Sequence, residues 1–344
     1  MKIKTTWEYS LETEAKRVIH CAHQMVVGFY RVNNFYVLPL DLKTHSSNIV
    51  LFPDLPYHKI PRFWNKAKKV DVTTLPIKAD RRIVDEVKLL LEKERLPKPN
   101  YHHIKKGWGK ASNTILEKLN DLIPKAFDRI GEIIIYPTVL GTSCSFNILS
   151  EKDSIIYIWL REDRDIYSIV EAIITSITRK EAFDELHATW SESEFLSDWL
   201  VTKSALATAI AKYQKRSNYL PTLKGTRGKQ NAQLLKESDE FYKKLGLPIN
   251  SKVFNLNGRT PEINKKQIED LTNTEKNILR LLIENADNVV TFDKIADYLF
   301  PDSANFSLYA ISKTIQRLRD KLEENGISGS YIQTLRGRGY LLKN

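Results

Sequence analysis

The stretch that decides the fold of the C-terminal part of this chain is Tyr331-Ile-Gln-Thr-Leu-Arg-Gly-Arg-Gly-Tyr340. Residues 331–335 and 340–342 are rich in strand-forming types, and the glycines between them permit a tight turn. The sequence therefore predicts a β-hairpin that carries two arginine side chains, Arg336 and Arg338, at its tip.

A long amphipathic helix is predicted directly before this hairpin, from about Ser307 to Asn325. Gly326 is its expected C-terminal stop. From its residue count the helix is roughly 28 Å long, which is enough to lie along a DNA major groove. Apolar residues recur along it at the 3-4-3-4 spacing of one buried stripe, namely Leu308, Ile311, Ile315, Leu318 and Leu322.

Two shorter helices are predicted before the long one. Thr272 and Glu275 have the spacing of a capping box, in which the threonine hydroxyl accepts from the Glu275 amide and the carboxylate reaches back. Thr291 is expected to cap the second helix, which ends at Pro301. The C-terminal segment therefore contains three helices and a hairpin.

Double-stranded DNA is the ligand that this pairing of helix and hairpin predicts. Lysine and arginine can reach phosphates or guanine edges, and glutamine can pair with adenine. Arginine at a hairpin tip suits the negative potential of a narrow minor groove. A basic helix face taken alone would more often be a solvated surface, but the capped helices and the glycine-arginine hairpin in register favour DNA binding.

Residues 253–344 resemble the OmpR/PhoB-type winged helix of bacterial response regulators. The matching motifs are Leu271-Thr-x-x-Glu275, Ile315-Gln-Arg-Leu-Arg319-Asp-Lys321 and Gln333-Thr-Leu-Arg-Gly-x-Gly-Tyr340. The resemblance implies that the third helix reads the major groove while the hairpin, or wing, reaches the adjacent minor groove. On this basis and from the polar face of the helix, the expected DNA-binding residues are Tyr309, Ser312, Lys313, Thr314, Gln316, Arg317, Arg319, Arg336 and Arg338.

In response regulators a phosphate-accepting receiver domain precedes this module. The sequence before the winged helix shows no repeated strand–helix pattern with an acidic pair, an aspartate at a strand end and a following lysine. We therefore do not expect control through an ordinary phospho-acceptor receiver.

The segment from about 110 to 205 resembles the minimal gluzincin fold of zinc metallopeptidases. The matching order is an edge-strand segment from Ile135 running into residues 141–146, a strand Ile155–Leu160, a helix Ile169–Ile177 and the motif Trp190-Ser-Glu-Ser-Glu194-Phe-Leu-Ser-Asp198. In that family the first helix carries His-Glu-x-x-His. The second carries Glu-x-x-x-Asp, whose glutamate is the third zinc ligand.

The zinc-binding set of that family is incomplete in this chain. The first motif reads Glu171-Ala172-Ile-Ile-Thr175, so both histidines and the catalytic glutamate are replaced, whereas the second stands as Glu194 and Asp198. Without an imidazole pair and a base, the resemblance implies no zinc site and no peptidase activity. We expect a pseudo-metallopeptidase, not an enzyme, with no catalytic residue, metal or cofactor. Glu171, Glu194 and Asp198 either form a relic pocket reused for a ligand or peptide, or lie on a solvated or capped helix face.

The histidines and cysteines elsewhere in the sequence also indicate that no metal site is formed. His20, Cys21 and His23 lie on one predicted helix, but their spacings direct them to different sides, so a joint metal site is not expected.

Cys21 and Cys144 are the two cysteines, which fits a reducing cytoplasm. The N-terminus lacks a signal-peptide pattern, and no apolar run is long enough for a membrane span, so we expect a cytoplasmic protein with no membrane partner.

Positive charge is concentrated outside the predicted DNA-binding domain. The chain carries a net charge of +11, but residues 251–344 contain 14 Lys and Arg against 12 Asp and Glu. Residues 203–244 contain 10 Lys and Arg against three acidic residues. This basic block predicts additional non-specific attraction to a polyanion.

The remaining pattern predicts ordinary helices and strands. Residues 10–29 and 191–214 are each predicted as one helix, and residues 132–137 and 154–160 as strands. Residues 29–38 are predicted as a hairpin hinged at Asn33-Asn34.

These observations predict an α+β chain of three parts. Residues 1–215 form a mixed sensor or interaction domain, zincin-like from about 110, residues 216–250 a basic helical linker, and residues 251–344 the winged helix. The expected function is that of a sequence-specific transcriptional regulator of double-stranded DNA, with RNA polymerase and a second copy of the chain as candidate partners. The alternatives are a metal-dependent peptidase-like protein with a DNA-binding tail and a nucleoid-associated architectural binder.

Overall fold

A computed structural model of the chain describes residues 3–40, 48–72, 74–150, 152–184, 190–214, 231–247, 252–264, 266–268, 270–299 and 307–344. The chain divides into two compact units, the first made of Met1–His23 with Asn34–Phe241 and the second of Gln24–Asn33 with Tyr242–Asn344. The predicted 216–250 linker is only partly described: residues 215–230 and 248–250 lie outside the described ranges. The assignment of Gln24–Asn33 to the second unit was not predicted.

Ten helices and six strands lie among the described residues up to position 244. In chain order they are β1 (Lys4–Trp7), α1 (Leu11–Val26), α2 (Phe29–Val32), β2 (Tyr36–Leu38), β3 (Ile49–Leu51), α3 (Phe63–Lys68), α4 (Arg81–Lys93), α5 (His102–Leu122), α6 (Pro124–Phe127), β4 (Glu132–Thr138), β5 (Cys144–Phe146), β6 (Ile155–Arg161), α7 (Ile166–Asp184), α8 (Trp190–Lys203), α9 (Ala205–Tyr213) and α10 (Ala232–Lys244).

Three parallel strands and an antiparallel edge strand form the main sheet of the first unit, in the order β1-β4-β6-β5. β4 and β6 pair in register from Glu132 opposite Ile155 to Thr138 opposite Arg161. Alternate isoleucines of both strands are fully buried in a core with the apolar faces of α5, α7, α8 and α9. The two strands predicted from the sequence are confirmed.

The helix predicted for residues 191–214 is divided in two. Ser204 lies between α8 and α9, and its hydroxyl accepts a hydrogen bond from the Leu206 amide at 3.0 Å. A serine side chain that accepts from an amide two residues later is an N-cap, so it starts a new helix instead of continuing the old one.

The hairpin predicted for residues 29–38 is wrong. Residues 29–32 form the short helix α2, with Val32 N donating to Gly28 O at 3.0 Å. β2 then pairs with β3 as a parallel strand, whereas the two strands of a hairpin are antiparallel. Asn33 and Asn34 follow α2, and Asn34 is in the left-handed region at φ 57°. The two asparagines therefore end a helix here and do not form the turn of a hairpin.

The second unit contains a small antiparallel sheet, three helices and a three-stranded sheet that includes the hairpin. Its remaining elements are β7 (Phe254–Asn257), β8 (Thr260–Ile263), β9 (Lys266–Gln267), α11 (Asn273–Glu284), β10 (Val289–Thr291), α12 (Phe292–Leu299), α13 (Leu308–Glu324), β11 (Ile332–Leu335) and β12 (Gly339–Leu342). The sheet orders are β7-β8-β9 and β10-β12-β11. This is the winged-helix arrangement, and the predicted α+β content is confirmed.

The capping box and the apolar stripe predicted for these helices are both observed, except that Leu308 is not buried. The capping box forms: Glu275 N donates to Thr272 Oγ1 at 3.3 Å, and Thr272 N donates to Glu275 Oε2 at 2.8 Å. The apolar stripe of α13 is buried from Ile311 to Leu322. Leu308 was predicted to be part of it but is 52% exposed, because the first turn of α13 lies beyond the core.

The segment Gln24–Asn33 packs within the second unit although it is far away in sequence. Val27 O accepts a hydrogen bond from Ser328 N at 2.9 Å, and Val32 is buried in the same core as α11 and α13. Gly28 lies so close to Tyr331 that a Cβ would clash with its hydroxyl. The winged helix is therefore completed by residues from near the N-terminus of the chain.

No helix in the described ranges has both the length and the apolar character required to cross a membrane.

Candidate nucleic-acid interface

The exposed face of α13 combines positive charge with an aromatic ring. Tyr309 is 62% exposed, and Lys313 Nζ lies 5.5 Å from the centroid of its ring. Ser312, Gln316 and Arg317 are also exposed on this helix. An exposed tyrosine next to lysine and arginine offers both a flat apolar surface and hydrogen-bond donors, a combination that fits base edges and phosphates.

Thr314 supports this face instead of forming part of it. It is only 6% exposed, and its hydroxyl donates to Ala310 O at 2.8 Å. The same hydroxyl accepts from Arg317 Nη2 at 3.2 Å, so Thr314 helps to orient the arginine. The expectation that Thr314 itself faces the bases does not agree with its burial.

Arg317 and Gln316 differ in how available they are. The described hydrogen-bond partner of Arg317 is the neutral Thr314, which leaves most of the guanidinium donors directed to solvent. Gln316 Nε2 donates to Asp320 Oδ1 at 2.9 Å, so its amide must give up that bond before it can pair with a base.

Arg319 connects α13 to the hairpin. Its Nε and Nη2 donate to Ile332 O at 3.0 and 2.7 Å, and Nη2 also donates to Thr334 Oγ1 at 2.9 Å. Burial lowers the pKa of this guanidinium, which nonetheless stays charged at neutral pH. The sequence predicted a DNA contact here, whereas the geometry makes Arg319 a structural clamp on β11.

A second bond joins the helix to the other strand of the hairpin. The hydroxyls of Ser312 and Tyr340 lie 3.1 Å apart. Together with the Arg319 contacts, this bond holds β11 and β12 against α13, so the hairpin and the helix are positioned as one surface.

The tip of the hairpin is a tight turn. Arg338 N donates to Leu335 O at 2.9 Å, and Gly337 between them has φ 70°. Arg336 and Arg338 are both exposed. Gly339 has φ 144°, and a Cβ there would clash with Val290 O of β10. One glycine of the motif serves the turn, and the other allows close approach of two strands.

The first turn of α11 is joined to α13 by an ion pair whose carboxylate is buried. Lys321 Nζ donates to Glu275 Oε2 at 2.8 Å, and Glu275 is only 2% exposed. Burial opposes ionisation of Glu275, but hydrogen bonds from Lys321 and Thr272 outweigh it and hold the pKa of the carboxyl below its ordinary value. The capping residue seen in the sequence thus also bonds to the third helix.

The residues predicted to form a relic pocket, Glu171, Glu194 and Asp198, lie on α7 and α8 in the first unit. Thr175 Oγ1 and Ser197 Oγ lie 2.8 Å apart, and Arg179 forms an ion pair with Glu194. Glu194 and Asp198 are each 6% exposed, so the alternative of a solvated helix face is wrong for both. Glu171 is half-buried on α7.

No metal cluster is formed by the histidine, cysteine, aspartate and glutamate side chains of the described ranges. His20 Nδ1 lies 3.0 Å from Arg17 Nη1, whereas His23 Nδ1 lies 3.1 Å from Ala67 O. The two histidines of α1 therefore face different neighbours.

Comparison with known proteins assigns the C-terminal segment. Residues 266–342 match the family model described as "Transcriptional regulatory protein, C terminal". The sensory transduction protein BceR of Halalkalibacterium halodurans is 36% identical over 74 residues, which are 22% of this chain and 32% of that protein. The regulatory protein VanR of Enterococcus faecium is 35% identical over 92 residues, 26% of this chain and 39% of that protein.

A solved structure is also similar to part of the chain. The DNA-binding domain of the response regulator AdeR, in complex with an intercistronic region, is 26% identical and covers 28% of this chain and 99% of that domain, with a TM-score of 0.24. The chain spans about a third of the length of the curated relatives it matches. The match of residues 266–342 to the family model identifies this C-terminal segment as an OmpR/PhoB-type DNA-binding domain.

Proposed function

We propose that this chain is a sequence-specific transcriptional regulator that places α13 in the major groove of double-stranded DNA and the hairpin tip in the adjacent minor groove. The observation that carries the proposal is the exposed face of α13, where Tyr309, Lys313 and Arg317 lie on a helix of an OmpR/PhoB-type domain. Exposed donors on a helix of this length match the width and chemistry of a major groove.

The DNA contacts are assigned from the exposure of each side chain. Tyr309, Lys313, Gln316 and Arg317 are assigned to the major groove or its phosphates, and Arg336 and Arg338 to the minor groove. Ser312, Thr314 and Arg319 are assigned to holding these side chains and the wing in place, because their polar atoms already bond within the domain.

The proposal is tested by selecting bound duplexes from random DNA with the full chain. A regulator is expected to enrich one sequence, and repeated half-sites at a constant spacing would also report a dimer. Enrichment of flexible or A·T-rich DNA without a defined motif would instead support the architectural alternative.

We further propose that the first unit is a degenerate zincin-like domain that lacks phospho-acceptor and peptidase chemistry. Its support is the antiparallel edge strand β5 beside β6, followed in the chain by α7 and α8, which pack together. The parallel strands of the main sheet end at Trp7, Thr138 and Arg161, whereas a receiver would need an aspartate at a strand end. Stoichiometric zinc in the purified full chain would contradict the proposal and favour the metal-dependent alternative.

The basic block at 203–244 is proposed to add contacts to phosphates. Changing Lys224, Arg227 and Lys229 to glutamine is expected to reduce the slope of log binding constant against log salt concentration by up to about 2.7, because each phosphate contact contributes about 0.9. The slope is measured by fluorescence anisotropy of a labelled duplex at several salt concentrations. The same changes at Lys59, Lys93 and Lys98, which are exposed in the first unit, are the matched control. An equal slope in both triple variants would exclude the contacts.

A further inference from the structure

Arg17 is a fully buried cation in the first unit. Its side chain on α1 has no exposed surface. Nη1 donates to Ser145 Oγ at 2.8 Å, and Nη2 donates to Thr142 Oγ1 at 3.2 Å. Within the described part of the chain no carboxylate forms an ion pair with it. Burial of a charge is unfavourable unless the charge is balanced nearby, so a counter-ion would stabilise this guanidinium.

The histidine next to Arg17 adds no negative charge. His20 Nδ1 lies 3.0 Å from Arg17 Nη1. Burial, and then the charge of Arg17, hold the pKa of His20 well below its ordinary value, so the ring is neutral. A neutral ring can accept a hydrogen bond from Nη1, but it does not balance the cation.

One edge of the guanidinium lacks acceptors. A guanidinium has five N–H donors, and Arg17 has contacts for two on Nη1 and one on Nη2. Nε is buried and has no hydrogen-bond partner. Nε and Nη2 share an edge of the planar group, which is the geometry that binds two oxygens of one carboxylate or phosphate.

A second buried donor without a hydrogen-bond partner belongs to the aromatic ring that contacts Arg17. Trp159 Nε1 is buried without a partner. The Trp159 ring centroid lies 5.2 Å from Arg17 Cζ, and 5.6 Å from the centroid of the His20 ring. Both orphan groups are donors, so water or a ligand that satisfies them must act as an acceptor.

Gly141 packs against the same guanidinium. Gly141 has φ 83°, and the atoms nearest to where its Cβ would stand are Nη2, Cζ and Nε of Arg17, with Nε at 2.5 Å. Any other residue at this position would place a methylene carbon against the edge that lacks acceptors.

Glu14, about one turn before Arg17 on the same helix, accepts hydrogen bonds from other residues. Glu14 accepts from Thr138 Oγ1 at 2.7 Å and from Val139 N at 3.4 Å. Burial raises the pKa of this carboxyl to about 7, against those hydrogen bonds, so near neutral pH it is only partly ionised. Glu14 interacts electrostatically with Arg17 but, because it is only partly ionised, balances that charge incompletely.

We propose that these residues form a buried binding site for a small oxyanion, a carboxylate or phosphate group that accepts from the Nε–Nη2 edge of Arg17. The site, called the Arg17 site, consists of Arg17, His20, Gly141, Thr142, Ser145 and Trp159. It belongs to the first unit alone and does not depend on the proposed DNA binding.

The test is a titration of the full chain with inorganic phosphate and, separately, with acetate, at an ionic strength kept constant with chloride. The expected result is saturable binding of one probe, one per chain, by isothermal calorimetry, with a parallel change in tryptophan fluorescence that Trp159→Phe removes. Arg17→Lys keeps the charge but loses the planar edge, and is expected to weaken binding at least tenfold. Arg129→Lys is the matched control, because Arg129 has Glu181 as an ion-pair partner at 3.0 Å.

The inference is overturned if neither probe saturates the unmodified chain, or if Arg17→Lys binds as tightly as the unmodified chain. Circular dichroism establishes whether Arg17→Lys folds. If it does not, Ser145→Ala decides, because it changes the hydroxyl that orients Nη1 and keeps the charge. A loss of affinity in that variant supports the site, and unchanged affinity excludes it. Which probe saturates tells a carboxylate site from a phosphate site.

Discussion

Replacing Arg317 with alanine is expected to weaken binding to the selected DNA sequence by about 1–3 kcal/mol, or roughly 5- to 150-fold, with little change on scrambled DNA. The guanidinium is exposed on α13, and its described partner is the neutral Thr314 at 3.2 Å. Its planar donors can therefore bind both acceptors of a guanine edge, and that contact depends on sequence. Fluorescence anisotropy with the selected and the scrambled duplex measures both effects.

Arg259→Ala is the matched control for this experiment. Arg259 is exposed in the same unit, in the turn between β7 and β8, so its replacement removes the same charge away from α13. An equal loss on both duplexes for Arg317→Ala would make Arg317 a phosphate contact. No loss on either duplex would remove the exposed face of α13 from the proposed interface.

The periodic and capped parts of the second unit were predictable because their causes are local. The stripe from Ile311 to Leu322 repeats with the period of a helix, and the capping box at Thr272 needs only residues three apart. The hairpin was predictable for the same reason, since its turn residues lie next to each other in the sequence.

The roles of individual polar residues were less predictable because they depend on partners far away. Arg319 and Arg317 are two residues apart and chemically identical, yet one is bonded to Ile332 O while the other is exposed. The position of a residue around the helix does not by itself show which arginine donates to a carbonyl group of the hairpin. Likewise, nothing near Gln24–Asn33 in sequence indicates that this segment completes the second core.

In the first unit the sequence pattern predicted helices and strands, but not which charged side chains are buried. Glu14 and Arg17 lie in a charged stretch of α1 that could equally face solvent, as Lys16 partly does, yet both are buried against β4 and the loop after it. Their burial follows from hydroxyl groups at Thr138, Thr142 and Ser145, whose proximity depends on the sheet and not on spacing.

Replacing Gly339 with alanine is expected to lower the free energy of unfolding of the wing by about 2–6 kcal/mol. The backbone there has φ 144°, a conformation that costs an L-residue about 1–3 kcal/mol, and overpacking adds a similar amount. The overpacking arises because a Cβ would clash with Val290 O and lie 2.8 Å from Thr291 Cα. Hydrogen exchange of the full chain, read on peptides from 287–299 and 331–344, measures the loss as faster opening of β10 and β12.

Gly337→Ala is the control that separates this packing from backbone strain. Gly337 has φ 70°, and a Cβ there would meet open space, so the expected destabilisation is about 1–2 kcal/mol from the left-handed conformation alone. The difference between the two variants therefore measures the close approach of β12 to β10. If both variants exchange equally fast, the second glycine of the motif is required only for its turn conformation, and the wing would not depend on that contact.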